Sequence, residues 1–214
     1  MALFLALDHG TGFAAGASIG MRSGRCERAA SRASLSDVFV LVGGPPASGK
    51  SSLAAPLAVE MGLPLIAKDA IKEALIDVLG LPGEVEESQK LGRAAVMAML
   101  TVARTSPGAV LDSTWYPYTR PALGQLRGPL VEVRCVVPEE VARRRYSERA
   151  RHRHAGHLDA DRLDEELWDP RHSQALGVGP LIEVDTTRKV AISELAEKIR
   201  ALASNATVKA NDPE

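Results

Sequence analysis

A chain of 214 residues, 45% hydrophobic and 25% charged, has the balance of an ordinary globular protein and the length for one sizeable core. Its net charge of −1 excludes any global electrostatic pull toward nucleic acid or an acidic membrane surface. Two cysteines far apart, Cys26 and Cys135, exclude a disulfide framework or a zinc motif, and no apolar run reaches the length of a membrane span, so a cytoplasmic protein is expected.

Residues 1–36 differ from the rest. Met1 to Leu7 is apolar, but no basic residue precedes it and Asp8 and His9 end it, which makes a poor secretory signal. Arg22, Arg25, Arg28 and Arg32 follow in a Gly-, Ala- and Ser-rich setting. The segment reads as a poorly ordered extension ahead of a domain spanning residues 37–204; a transit peptide is the alternative. The polar residues 205–214 read as a loose tail.

The domain opens on Val38-Phe39-Val40-Leu41-Val42, an apolar, β-branched run that predicts a buried strand. The turn GGPPASGKSS follows, at residues 43–52, and then a helix start. From Gly44 to Ser51 the spacing fits G-x-x-x-x-G-K-[ST], and strand, Gly-rich turn and helix are the context that pattern requires. Such a turn aims backbone N–H groups at one point, where the helix dipole also favours an anion. Pro45 and Pro46 donate no N–H, so the amides of Ala47, Ser48, Gly49, Lys50, Ser51 and Ser52 must form the cradle. Lys50 adds a positive charge for β- and γ-phosphates, and the Ser51 hydroxyl suits Mg²⁺. Pro56 is the discordant residue, because it removes a hydrogen bond inside the predicted helix.

Strand-like runs then recur at 63–67, 109–111, 131–137 and 181–184. Helical patterns fall near 50–61, 69–79, 86–104, 138–151 and 159–168, with a last amphipathic one through Ile192, Leu195, Ile199 and Leu202. The alternation predicts an α/β fold, a five-stranded parallel sheet with helices on both faces. Ligands of such sheets bind beyond the carboxyl ends of the strands.

Chemically capable residues sit at those ends. Asp69 follows the second strand, where it can accept a proton from an attacking hydroxyl or simply cap a helix. Asp112 ends the third, where it can hold Mg²⁺ or cap. Trp115, Tyr116 and Tyr118 cluster just beyond it, in a chain only 4% aromatic. They wall a substrate pocket or pack under a helix. Six arginines fall within residues 143–153. Arg145 and Arg149, four apart, share one helix face and suit a lid over phosphate; a solvated basic face is the alternative.

These residues give the chain a resemblance to small P-loop kinases of the group that includes phage polynucleotide kinase, chloramphenicol phosphotransferase and zeta-toxin kinases. The likeness spans about residues 37–203. It rests on GGPPASGKSS, on Lys68-Asp69-Ala70-Ile71-Lys72, on Leu111-Asp112-Ser113-Thr114 and on the proline followed by an Arg-rich lid. It implies a P-loop NTPase fold, ATP and Mg²⁺ as cofactors, and transfer of the γ-phosphate to a hydroxyl. It implies Asp69 as the base, Arg145 and Arg149 as lid arginines, and Arg188 near the adenine. Where polynucleotide kinases carry a catalytic Arg three residues after that Asp, this chain has Lys72. A small-molecule hydroxyl is therefore the expected acceptor, with nucleic acid second and a nucleotide-gated binding ATPase third.

Overall fold

In β1 (Phe39–Gly43) every residue is buried, so both faces of this strand must be covered. Successive side chains of a strand point to opposite faces. Val40 and Val42 accordingly join one core with Leu53, Leu57 and Ile199, while Phe39 and Leu41 join another with Met99, Leu100 and Leu123. The computed structural model describes residues 38–211. The expected extension, 1–36, lies outside the described residues.

Among the described residues the other strands are β2 (Leu65–Ala67), β3 (Ala109–Asp112), β4 (Leu130–Val136) and β5 (Leu181–Asp185). They form a parallel sheet in the order β2-β3-β1-β4-β5, with helices on both faces. The chain leaves β1 toward one edge and returns to the other through β4. The crevice for a ligand therefore opens at the end of β1, where the turn at residues 43–52 lies.

The helices are α1 (Lys50–Met61), α2 (Lys68–Leu79), α3 (Val85–Ala103), α4 (Arg120–Leu123), α5 (Glu139–Ala150), α6 (Asp164–Leu167) and α7 (Ile192–Asn211). Pro56 lies inside α1 without ending it. It sits on the exposed side, while Leu53, Ala54, Leu57 and Ala58 anchor the opposite side in the core.

Two expectations need correction. The helix expected over 159–168 is broken into a 3₁₀ turn at Asp159–Asp161 and the short α6. Arg162 and Leu163, between the two pieces, take extended backbones (ψ 137° and 139°), which a continuous helix cannot contain, and the Asp159 side chain is drawn away to Arg153. The tail expected from residue 205 is still helical through Asn211. The segment Ala201-Leu202-Ala203 feeds good helix formers into that turn, and Ala206 and Ala210 continue them.

Candidate functional site

The turn after β1 is strained in the manner a phosphate cradle needs. Ala47 adopts φ 55° and Gly49 φ 86°, and Gly49 caps α1. A side chain at Gly49 would come within 3.3 Å of Thr186, so the turn lies close against the segment following β5. Thr186 fastens that contact by donating its hydroxyl to the Ser48 carbonyl at 2.6 Å. The Lys50 ammonium folds back on the loop, donating to the carbonyls of Gly44 (2.9 Å) and Pro45 (2.7 Å). Burial pushes it down to about 8, against the pull of Asp112.

A cavity of about 710 Å³ opens over the start of α1. Ala47, Gly49, Lys50, Ser51 and Ser52 line its floor; Arg145, Arg149 and Arg188 line its wall. Arg145 is braced by a 3.1 Å bond to the Thr186 carbonyl. Gly44 and Ser48 of the sequence pattern do not line this cavity. Ser48 is fully buried, and its Oγ lacks a hydrogen-bond partner.

A second cavity, about 450 Å³, lies beyond the ends of β2 and β3. Lys72 and Tyr116 line it, and the Tyr116 hydroxyl meets His172 Nε2 at 2.8 Å. Trp115 does not reach either large cavity. Its indole lies over Gly43, where a Cβ would approach Trp115 Cδ1 to 2.8 Å, and Nε1 donates to the Val42 carbonyl. At 6% exposure it belongs to the core.

Between the two cavities runs a crevice of about 80 Å³ that contains both strand-end carboxylates, Asp69 and Asp112. It shares Arg149 with the first cavity and Lys68, Arg153 and Arg162 with the second. The capping alternative for Asp69 is not what the structure holds: Ala67 occupies the cap position of α2, and no side chain caps it. Instead Lys68 donates to one Asp69 oxygen and Arg153 to the other, both at 2.7 Å. Burial pushes the Asp69 carboxyl upward, but the charges of Lys68 and Arg153 outweigh it and hold it well below the usual carboxylate range. Asp112 is raised by burial, opposed by a hydrogen bond from Ser51 and by the Lys50 charge. Burial lowers the Arg149 guanidinium, whose Nε is buried without a partner.

Arg153 is the residue that sequence reasoning passed over. It lies four beyond Arg149, the same interval that separates Arg149 from Arg145, so the spacing contained the signal. The helix ends at Ala150, however, and Arg153 reaches Asp69 from an irregular strap rather than from a helix face. The strap docks through Gly156 on Ile76 of α2 and through a bond from Ser88 Oγ to the Gly156 carbonyl (2.8 Å). Cys135 is an inert core thiol, pushed up to about 12 by burial.

A family model described as "AAA domain" matches residues 39–169, which contain the turn, both carboxylates and the arginine run. The chain belongs to the AAA-domain family. No curated protein matches it. Among solved structures, this AAA domain is similar to a protein of Chloroflexus aurantiacus provisionally described as a kinase, at 24% identity and a TM-score of 0.66, covering 79% of this chain and 99% of that one. A gluconokinase from Sinorhizobium meliloti aligns at 24% identity and TM-score 0.54, over 81% and 97% of the two chains. Kti12 from Chaetomium thermophilum, in complex with ADP-AlF3, aligns at 19% and 0.53, over 78% and 98%. At these identities the likeness shows the fold alone, a parallel α/β sheet with a Gly-rich turn after its central strand. No described helix of this AAA domain is long and apolar enough to cross a membrane.

Proposed function

We propose that this protein transfers the γ-phosphate of ATP to a hydroxyl group of a small molecule. The observation that carries the reading is the crevice joining the two cavities, with Asp69, Asp112 and Arg149 at the junction. Nucleotide phosphates lie in the turn, held by the amides of Ala47 and of residues 49–52, the Ser48 N–H being donated to the Pro45 carbonyl, and by Lys50 once it leaves the carbonyls of Gly44 and Pro45. The acceptor occupies the second cavity, whose 450 Å³ suits a small molecule.

Ser51 and Asp112 fit Mg²⁺, since a hydrogen bond already brings their oxygens together and hard cations take oxygen ligands. Bound there, Mg²⁺ would neutralise charge on the β- and γ-phosphates. Asp69 orients the acceptor hydroxyl and takes its proton. Its depressed basicity suits a loose transition state, in which the proton leaves late and positioning matters more than base strength. Segment 139–176 acts as the lid: Arg145 and Arg149 meet the phosphates, and Arg153 holds Asp69.

The test is Asp69→Asn. Transfer should slow by roughly 10²–10⁴, with ATP affinity changed only a few-fold. Turnover at the native rate would remove Asp69 from the reaction.

A further inference from the structure

Six cationic side chains line the second cavity, Lys68, Lys72, Arg93, Arg153, Arg162 and Arg171, against three carboxylates. Three of the six are paired already: Lys68 and Arg153 with Asp69, and Arg171 with Asp169. Two others are not: Lys72, which is buried, and Arg162, which is half-buried. Lys72 is only 4% exposed. Its ammonium uses one of its three N–H groups on Ser88 Oγ, at 2.6 Å, and that hydroxyl passes its own hydrogen on to the Gly156 carbonyl. Arg162 has a buried Nε with no hydrogen-bond partner. Among the described residues neither Lys72 nor Arg162 forms an ion pair.

Like charges held at partly buried positions cost free energy, and an anion placed between them offsets that cost. Burial, with Lys68 and Arg162 beside it, pushes the Lys72 ammonium down to about 8, so it still carries its charge at neutral pH. Lys72 lies one helical turn beyond Asp69 on α2, which sets the two Cβ atoms about 5–6 Å apart on one face. A compact acceptor spans that interval.

Building on the kinase reading above, we infer that the acceptor carries an anionic group, a carboxylate or a phosphate, seated between Lys72 and Arg162 while its hydroxyl lies at Asp69. The exposed Glu165 and Glu166 lie on the same cavity's lining, and Glu166 is engaged by Gln89 at 3.1 Å.

Matched acceptors test the inference. Glycerol, glycerate and glycerol phosphate, and glucose, gluconate and glucose phosphate, are each offered with Mg²⁺ and γ-labelled ATP. A charged member should exceed its neutral counterpart in kcat/KM on the order of 10–100-fold, the range of charge-assisted hydrogen bonds. The carboxylate and phosphate arms show which anion fits. Arg162→Gln and Lys72→Gln should each erode that preference. Should the buried Lys72 variant not fold, Arg162→Gln, in an irregular segment, decides alone. A second readout needs no transfer: the same acids, or inorganic phosphate, should raise the melting temperature of the ATP-free protein but not that of Arg162→Gln.

Neutral members used as well as charged ones, a preference unchanged in Arg162→Gln, or label on a 5′-hydroxyl oligonucleotide alone would overturn the inference. So would the absence of both transfer and melting shift with every compound. Melting shifts that vanish in Arg162→Gln, without transfer to any compound, would keep the anion subsite and remove the kinase reading instead.

Discussion

Arg153 and Asp69, 84 residues apart in the chain, are joined as an ion pair with Nη2 2.7 Å from Oδ2. The same guanidinium grips Asp159 with two bonds of 2.9 Å. One arginine thus ties the strap after α5 to the carboxylate at the head of α2. Displacing the strap would release Asp69 from half of its restraint.

The pair sets the basicity of Asp69, and Arg153→Gln should reveal it. With Arg153 gone, burial is opposed chiefly by Lys68, so the Asp69 pKa rises. The acid limb of the kcat/KM profile should move to higher pH, and kcat should fall because the hydroxyl is less well oriented. The pH–rate profile of the purified variant checks this. An acid limb that stays in place would show that Arg153 does not act through Asp69.

Lys50 carries a pH signature of its own. Burial holds its ammonium near 8. Phosphate oxygens in the cradle would raise it, so nucleotide binding favours the protonated form. ATP affinity should be full below about pH 8 and fall as pH rises above it, with proton uptake on binding at pH 8.5–9. Calorimetry in buffers of different ionisation enthalpy measures that uptake. Affinity that stays flat through pH 9.5 would place Lys50 away from the phosphates.

Much of this was legible in the sequence, for local reasons. Val38 to Val42 could only be a buried strand, and Gly44 to Ser51 carried its own turn chemistry. Asp69 and Asp112 stand out in the sequence because they follow predicted strands, and the structure brings both into one crevice. Trp115 was not resolved, because its place depends on Gly43 lacking a side chain and on a carbonyl 73 residues away. The reach of Arg153 likewise depends on the strap docking against α2, a contact between segments far apart in sequence. Local pattern carries no information on such pairings.

His157 makes that docking sensitive to acid. It is 4% exposed and meets Glu73 of α2 at 2.8 Å. Burial and then the Arg153 charge push it down to about 4, so at neutral pH it is uncharged. An imidazole with a depressed pKa binds its proton more readily in the unfolded chain. Stability is therefore lost as pH falls from about 6.5 toward 4. The melting temperature of the wild type should drop across that window, and His157→Gln should flatten the drop. An unchanged slope in the variant would contradict this role.

Gly156 tests the strap by packing alone. A Cβ there would meet Ile76 Cδ1 at 2.6 Å and Cγ2 at 2.9 Å. Gly156→Ala should cost about 1–3 kcal/mol by overpacking and should lower transfer by loosening Arg153. Ile76→Val removes the nearer methyl, so the double variant should recover part of both losses. Denaturant unfolding and turnover on the four proteins complete the cycle.

The proposed reaction carries phosphate from the turn to a hydroxyl in the neighbouring cavity. Its most direct test is a transfer assay with Mg²⁺, γ-labelled ATP and pooled hydroxyl compounds, with Lys50→Ala as the control. Label should appear on a small molecule with the wild type and not with Lys50→Ala. ATP bound at the cavity but hydrolysed only to free phosphate, whatever acceptor is supplied, would contradict it.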